Sequence, residues 1–187
     1  MKRDMKWKTL SSKQLFNETW MNIRADTCEK TDGSIVSPYY VYNFPEWVTA
    51  VAITREGQVI LERQYRHALG SVDLEIPGGC VDDTDAGYEA AIARELREET
   101  GYSFDKFEYL GKTSANPSTN TNLMHMFLAT GGYKTGEQEL DAGEDIELQL
   151  VSLDVLVELF REQKFIQAMH TVAIQLALQK LGRITIK

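Results

Sequence analysis

The segment Glu75–Tyr102, EIPGGCVDDTDAGYEAAIARELREETGY, constrains this chain more than any other stretch. Pro77-Gly78-Gly79 calls for a tight loop, because proline fixes its own φ and glycine opens backbone conformations closed to other residues. From Glu89 to Thr100, alanine, leucine, arginine and glutamate dominate and nothing interrupts them, so the sequence predicts a helix there. Gly101 stops it, at the position just past a helix end that glycine favours. On that helix Glu95, Glu98 and Glu99 stand at i, i+3 and i+4 and share a face. Ile92 and Leu96 form an adjacent apolar stripe that would seat the helix on a core. Three carboxylates on one anchored face repel one another. Arg94, one turn from Glu98, and Arg97 offset part of that charge. A hard divalent cation offsets it better, since Mg2+ and Mn2+ select carboxylate and water oxygens. A solvated acidic face is the plain alternative; the glycine loop directly before the helix tells against it.

Gly79, followed by Arg94-Glu95-Leu96-Arg97-Glu98-Glu99-Thr100-Gly101-Tyr102, resembles the Nudix box, the loop-helix signature of Nudix hydrolases. The second half matches at every specified position. The first half departs: the family carries a mainly structural Glu six residues after the glycine and eight before the arginine. This chain has one extra residue there, with Asp85 and Ala86 in place of the Glu. The resemblance implies an α+β architecture, the Nudix fold, in which a mixed β-sheet is sandwiched between α-helices from about residue 46 to the end. It implies Glu95, Glu98, Glu99 and the backbone carbonyl of Gly78 as ligands of Mg2+ (or Mn2+), with Arg94 and Glu98 in the catalytic centre. Metals held this way neutralise phosphate oxygens and orient water for an in-line displacement, which suits hydrolysis of a diphosphate bond. They also let an acidic protein receive an anionic substrate.

Three further features resemble the ADP-ribose and nucleotide-sugar pyrophosphatases: the run Glu75–Gly79, Pro117 fifteen residues after Tyr102, and the acidic stretch Glu137–Glu147. That likeness implies that Arg66 holds a phosphate or orders Glu75, and that Glu75 and Pro117 belong to the substrate site. It implies a catalytic Glu in the late loop, for which Glu144 is the best-anchored choice and Glu139 and Glu147 are the other candidates. On the residues alone, a solvated acidic loop is an equal reading. The expected substrate is a nucleoside diphosphate derivative, ADP-ribose first, giving AMP and ribose 5-phosphate. Ser118–Asn122 departs from the Gly and acidic residues that many ADP-ribose enzymes carry, so GDP-mannose or another nucleotide sugar stands as the alternative. A Nudix-like binding module without turnover is the alternative of another class; the presence of all three candidate ligand glutamates, Glu95, Glu98 and Glu99, favours the enzyme.

The first 45 residues differ from the rest. Lys6–Leu10, Met21–Glu29 and Ile35–Asn43 read as strands, with Thr31–Ser34 as a hairpin turn. Three short strands make no good core by themselves. They are expected to pack on the main domain or on a second subunit, and relatives of this branch exchange such segments across a homodimer. The expected division is therefore a β-strand dimerisation segment, 1–45, and a Nudix domain, 46–187. In the latter, Trp47–Thr54, Val59–Gln64, Phe107–Ser114, Leu123–Ala129 and Ile146–Val151 read as strands, and Gly131–Asp145 as a loop. Leu153–Gln163, started by Ser152, and Ala168–Leu181, with Val172, Ala173 and Leu176 inward, read as helices.

At 187 residues with a net charge of −8 and no cluster of Lys or Arg, the chain argues against a nucleic-acid partner. Cys28 and Cys80 are too few for a disulfide framework, which points to a reducing, cytoplasmic compartment. No stretch has the length of a membrane span, and MKRDMKWKTL has no apolar run, so no signal peptide and no membrane partner are expected.

Overall fold

The computed structural model describes residues 3–185, and the chain divides into two units: the residues up to Pro45 together with Ser114–Asn122, and Glu46–Thr113 together with Leu123 onward.

The first unit is an antiparallel sheet of β1 (Lys8–Glu18), β2 (Met21–Glu29) and β3 (Ile35–Tyr42) in that order. The β2–β3 turn closes as its residues require. Lys30 N–H donates to the Ser34 carbonyl at 2.9 Å, Gly33 N–H to Lys30 at 2.9 Å, and the Asp32 carboxylate accepts from Ser34 N–H at 3.0 Å. The first strand continues to Glu18 rather than ending near Leu10. Every residue of it is exposed, so Ser11–Gln14 offer no apolar alternation to betray a strand, and pairing with β2 alone carries it on. The Ser114–Asn122 segment joins this sheet: Tyr42 N–H donates to Thr119 at 2.8 Å, and the Tyr39 hydroxyl to the Ser118 carbonyl at 2.6 Å. Trp7, Leu10, Leu15, Phe16, Trp20, Ile35 and Tyr40 remain exposed.

The second unit is built on β4 (Trp47–Thr54), β5 (Gln58–Arg66), β6 (Ser71–Glu75), α1 (Tyr88–Thr100), β7 (Tyr102–Ser103), β8 (Lys106–Thr113), β9 (Met124–Lys134), β10 (Ile146–Ser152), α2 (Leu153–Arg161) and α3 (Ala168–Lys180). Its seven-stranded sheet runs β10-β5-β4-β9-β7, with β6 on β5 and β8 on β9. The β4–β9 pair is parallel and the others antiparallel, so the sheet is mixed. The period of two along a strand sends alternate side chains to opposite faces. Val48, Ala50, Ala52, Ile60, Phe127 and Ala129 pack with Ile92 and Leu96 of α1. Val51, Val59, Leu61, Met126 and Leu128 pack with Leu156 of α2 and Ala173, Ile174, Ala177 and Leu178 of α3. The sheet is thus sandwiched between helices, the Nudix arrangement expected.

Three local expectations change. The second glycine-rich loop begins later, because β9 runs on through Gly131-Gly132 to Lys134. A Cβ on Gly131 would stand 2.5 Å from Asp105, and one on Gly132 2.4 Å from the Phe104 ring, so these glycines mark close packing inside a strand. The strand Ser71–Glu75 gave no sequence signal. In α3 the fully buried side is Ala173, Ile174, Ala177 and Leu178, with Val172 and Leu176 packed at its margin. That helix is apolar nearly all round, so periodicity could not choose its face. Ser152 does cap α2, its hydroxyl accepting from Val155 N–H at 3.2 Å.

Candidate active site

The Pro77–Gly79 loop is fastened along β4. Ala50 N–H donates to Pro77 at 3.1 Å, the Thr49 hydroxyl to Pro77 at 2.9 Å, and Val48 N–H to Gly79 at 2.9 Å. The two glycines let backbone come where side chains cannot. A Cβ on Gly78, whose φ is 152°, would meet the Val48 carbonyl oxygen at 2.2 Å; one on Gly79 would meet the Glu95 carboxylate at 2.6 Å. Gly78 N–H donates to Glu99 Oε2 at 2.7 Å. Loop and helix face therefore meet as one surface, with Glu95 and Glu99 in it.

Both carboxylates are deeply buried, Glu95 8 % and Glu99 5 % exposed, while Glu98 lies half-exposed beside them. Burial pushes the Glu95 carboxyl up to about 7, against the pull of Arg94 and with the charges of Glu98 and Glu144 adding. Burial likewise holds Glu99 well above the usual carboxylate range, reinforced by Glu62 and Glu95, despite the Gly78 N–H.

Glu62 was missed in the sequence. It stands on β5 opposite Glu75 of β6, is 3 % exposed, and is pushed up to about 8 by burial and then by Glu75 and Glu144. The one available signal was a carboxylate closing the apolar run Val59-Ile60-Leu61.

Arg94 ties the site together. Its guanidinium forks onto Asp85 at 3.1 and 3.0 Å, donates to the Cys80 carbonyl at 2.9 Å, and reaches Glu95 at 3.0 Å and Glu98 at 2.9 Å. Asp85 thus meets Arg94 from the loop ahead of α1, whose N-cap is Gly87. Arg66 forks onto Glu75 at 2.7 Å for both bonds, so this arginine orders Glu75. His170 Nδ1 lies 3.7 Å from the same carboxylate, buried and held down to about 4, chiefly by burial.

The late loop is pinned at its base. Gln138 donates to the Glu99 carbonyl at 2.8 Å, and Glu139 N–H to Glu98 at 2.8 Å. Its tip carries Glu144, whose side chain accepts from Asp141 N–H at 2.9 Å and whose charge raises Glu62, Glu95 and Glu99 alike. Glu139 instead faces Arg97 at 3.6 Å and Glu147 faces Arg63 at 2.8 Å. The structure thus gathers Gly78, Glu75, Arg94, Glu95, Glu98, Glu99 and Glu144 with Arg66 in the second unit, whereas Pro117 belongs to the first.

This donor set suits a hard cation: buried carboxylates, a backbone turn at Gly78, and an orphaned buried oxygen, Glu62 Oε1. Among the described residues no three His, Cys, Asp or Glu side chains are already arranged to hold a metal ion.

Comparison with known proteins gives two family matches, a NUDIX domain over residues 45–170 and a nucleoside diphosphate sugar hydrolase N-terminal domain over residues 7–42. A methanol dehydrogenase activator of Bacillus methanolicus is 29% identical over 169 residues, 90% of each chain. An ADP-ribose pyrophosphatase of Bacillus subtilis (strain 168) is 28% identical over 174 residues, 92% of this chain and 93% of that protein. A crystal structure of an ADP compounds hydrolase superposes with a TM-score of 0.83 at 26% identity, over 98% of this chain and 100% of the other.

Proposed function

The chain belongs to the NUDIX domain family and is a Nudix hydrolase, and from that premise we propose that it hydrolyses the diphosphate bond of a nucleoside diphosphate sugar in a divalent-metal-dependent reaction, with ADP-ribose, cleaved to AMP and ribose 5-phosphate, as the leading substrate. The observation that carries this is the meeting of the Gly78-Gly79 loop with Glu95 and Glu99, where buried carboxylates far outnumber the cations facing them. Glu95, Glu98, Glu99 and the Gly78 carbonyl are the groups that would hold Mg2+ or Mn2+. Such a cation neutralises diphosphate oxygens and lowers the pKa of bound water.

The protein's own groups do the rest. Arg94, held by Asp85, sets the positions of Glu95 and Glu98. Arg66 and Glu75, locked together, form one wall of the site. Glu144 takes the proton from water as the water oxygen bonds to phosphorus and the P–O–P bridge opens, the bridging oxygen leaving with the other phosphate. Its place near the tip of a loop anchored at Gln138 suits a base that arrives with substrate. The first unit, by its match to an N-terminal domain of nucleoside diphosphate sugar hydrolases and its exposed aromatics, supports a homodimer.

The test is kcat/KM with Mg2+ for ADP-ribose, GDP-mannose, UDP-glucose and a nucleoside triphosphate, with products identified. ADP-ribose is expected among the better substrates. A triphosphate turned over in preference to every sugar nucleotide would refute the substrate class, and no effect of EDTA would refute the metal dependence.

A further inference from the structure

Glu62 sits where an apolar residue would pack better. It follows Val59-Ile60-Leu61, all fully buried, in the middle of a strand flanked on both edges. Side chains two apart on a strand share a face. Ile60 belongs to the cluster under α1, and Leu148, directly opposite Glu62 on β10, packs on that same cluster. Glu62 therefore points toward α1, at the level of Glu95 and Glu99, with Glu75 opposite it on its other edge.

A carboxylate buried to this depth is retained only with a partner. Arg66 is forked onto Glu75, and Arg94 onto Asp85, Glu95 and Glu98. Glu62 Oε1 has no hydrogen-bond partner. Glu75, Glu95, Glu99 and Glu144 around it carry its own sign, and Arg66, the cation acting on it, is already paired with Glu75.

We propose that Glu62 supplies a further carboxylate, directly or through a water, to the divalent-cation site formed with Glu95 and Glu99. The inference rests on the metal-dependent reading above and deepens it. With only the box acids, octahedral coordination relies on substrate phosphates. With Glu62 added, the nucleotide-free protein has enough oxygen donors and enough uncompensated charge to take up the cation first.

Titration calorimetry with Mn2+ on the full chain, without nucleotide, tests this, alongside melting temperature in EDTA and in Mn2+. The wild type is expected to bind Mn2+ and melt higher with it. Glu62→Gln, which keeps shape and removes charge, is expected to bind at least about tenfold more weakly, a loss of about 1.4 kcal/mol, while melting no lower than wild type in EDTA. Glu62→Val, which completes the apolar run, is expected to weaken Mn2+ binding equally. Unchanged Mn2+ affinity in a folded Glu62→Gln protein overturns the role of Glu62 and leaves the box acids standing. No nucleotide-free Mn2+ binding by the wild type overturns this inference while EDTA-sensitive turnover still supports the catalytic reading.

Discussion

Gly79→Ala separates the role of the loop in catalysis from its role in folding. The added methyl carbon would lie 2.6 Å from Glu95 Cδ and Oε1 and 2.7 Å from Oε2. Ordinary carbon contacts begin at about 3.5 Å, so the carboxylate must retreat by about 0.9 Å. What moves is the end of a side chain held by one Arg94 bond, so the fold is expected to lose little. A displacement of that size in a reacting centre lowers turnover about 100-fold, or about 2.7 kcal/mol in the barrier.

Gly78→Ala is the contrasting case. Its methyl meets the Val48 carbonyl oxygen at 2.2 Å and Thr49 Cα at 2.6 Å, and φ is 152°, so backbone must shift. Overpacking and strain together cost about 2–6 kcal/mol, a large share of a domain's stability. Turnover of ADP-ribose and melting temperature should be measured on both variants. Wild-type turnover in Gly79→Ala, or a stability loss as large as that of Gly78→Ala, would refute a catalytic role for the Gly79–Glu95 approach.

Glu144→Gln is expected to lower kcat by about 10²–10⁴-fold with a smaller change in KM, and a larger effect from Glu139→Gln or Glu147→Gln would show that the wrong acid was chosen. Asp85→Ala frees the Arg94 fork and should lower activity about 10–100-fold, as loss of groups that orient ligands commonly does; wild-type kinetics would reduce Asp85 to a surface ion pair. His170 faces Glu75 and, beyond it, Arg66, and its folded pKa of about 4 lies below the ordinary histidine value of 6.5, so the unfolded chain takes up a proton first as pH falls. Stability should therefore decline from about pH 6.5 toward 4, by on the order of 3 kcal/mol from this group, and His170→Gln should flatten that slope in urea melts. Light scattering at micromolar concentration should give twice the mass of 21.2 kDa if the first unit forms a homodimer; a monomer refutes it.

The helix, its stop and its acidic face were legible because they are local: spacing fixes which glutamates share a face whatever the chain does elsewhere. Ser152 capping α2 was legible for the same reason. What escaped depends on partners far along the chain. Asp85 pairs with Arg94, nine residues on, only because the loop returns it there. The end of β9 was hidden because Gly131 and Gly132 look like a turn until Asp105 and Phe104 close on them. The strand Ser71–Glu75 offers only Val72 and Leu74 as apolar residues and takes its form from pairing with β5. Glu62 was one acid in an apolar run, and nothing in its neighbours along the chain points to Glu75, Glu95 and Glu99.

Asp85, Glu62 and Glu75 change the charge balance of the site. The box alone sets Glu95, Glu98 and Glu99 against Arg94 and Arg97, a modest imbalance that two arginines nearly cover. The structure adds Glu62 and Glu75 from the sheet, Asp85 from the loop and Glu144 from the late loop, and on the other side it adds Arg66. Arg66 is consumed by Glu75, and the Arg94 fork by Asp85. A diphosphate approaching these groups without a counter-ion meets more carboxylates than cations, in surroundings that screen charge poorly. Affinity for the free protein must therefore depend steeply on divalent cation. Substrate KM should fall as Mg2+ rises, well beyond what binding of Mg2+ to the nucleotide in solution accounts for. A KM independent of Mg2+, once the nucleotide is itself saturated, would mean that the excess carboxylates are neutralised by protons, and that the pocket's charge is set by pH alone.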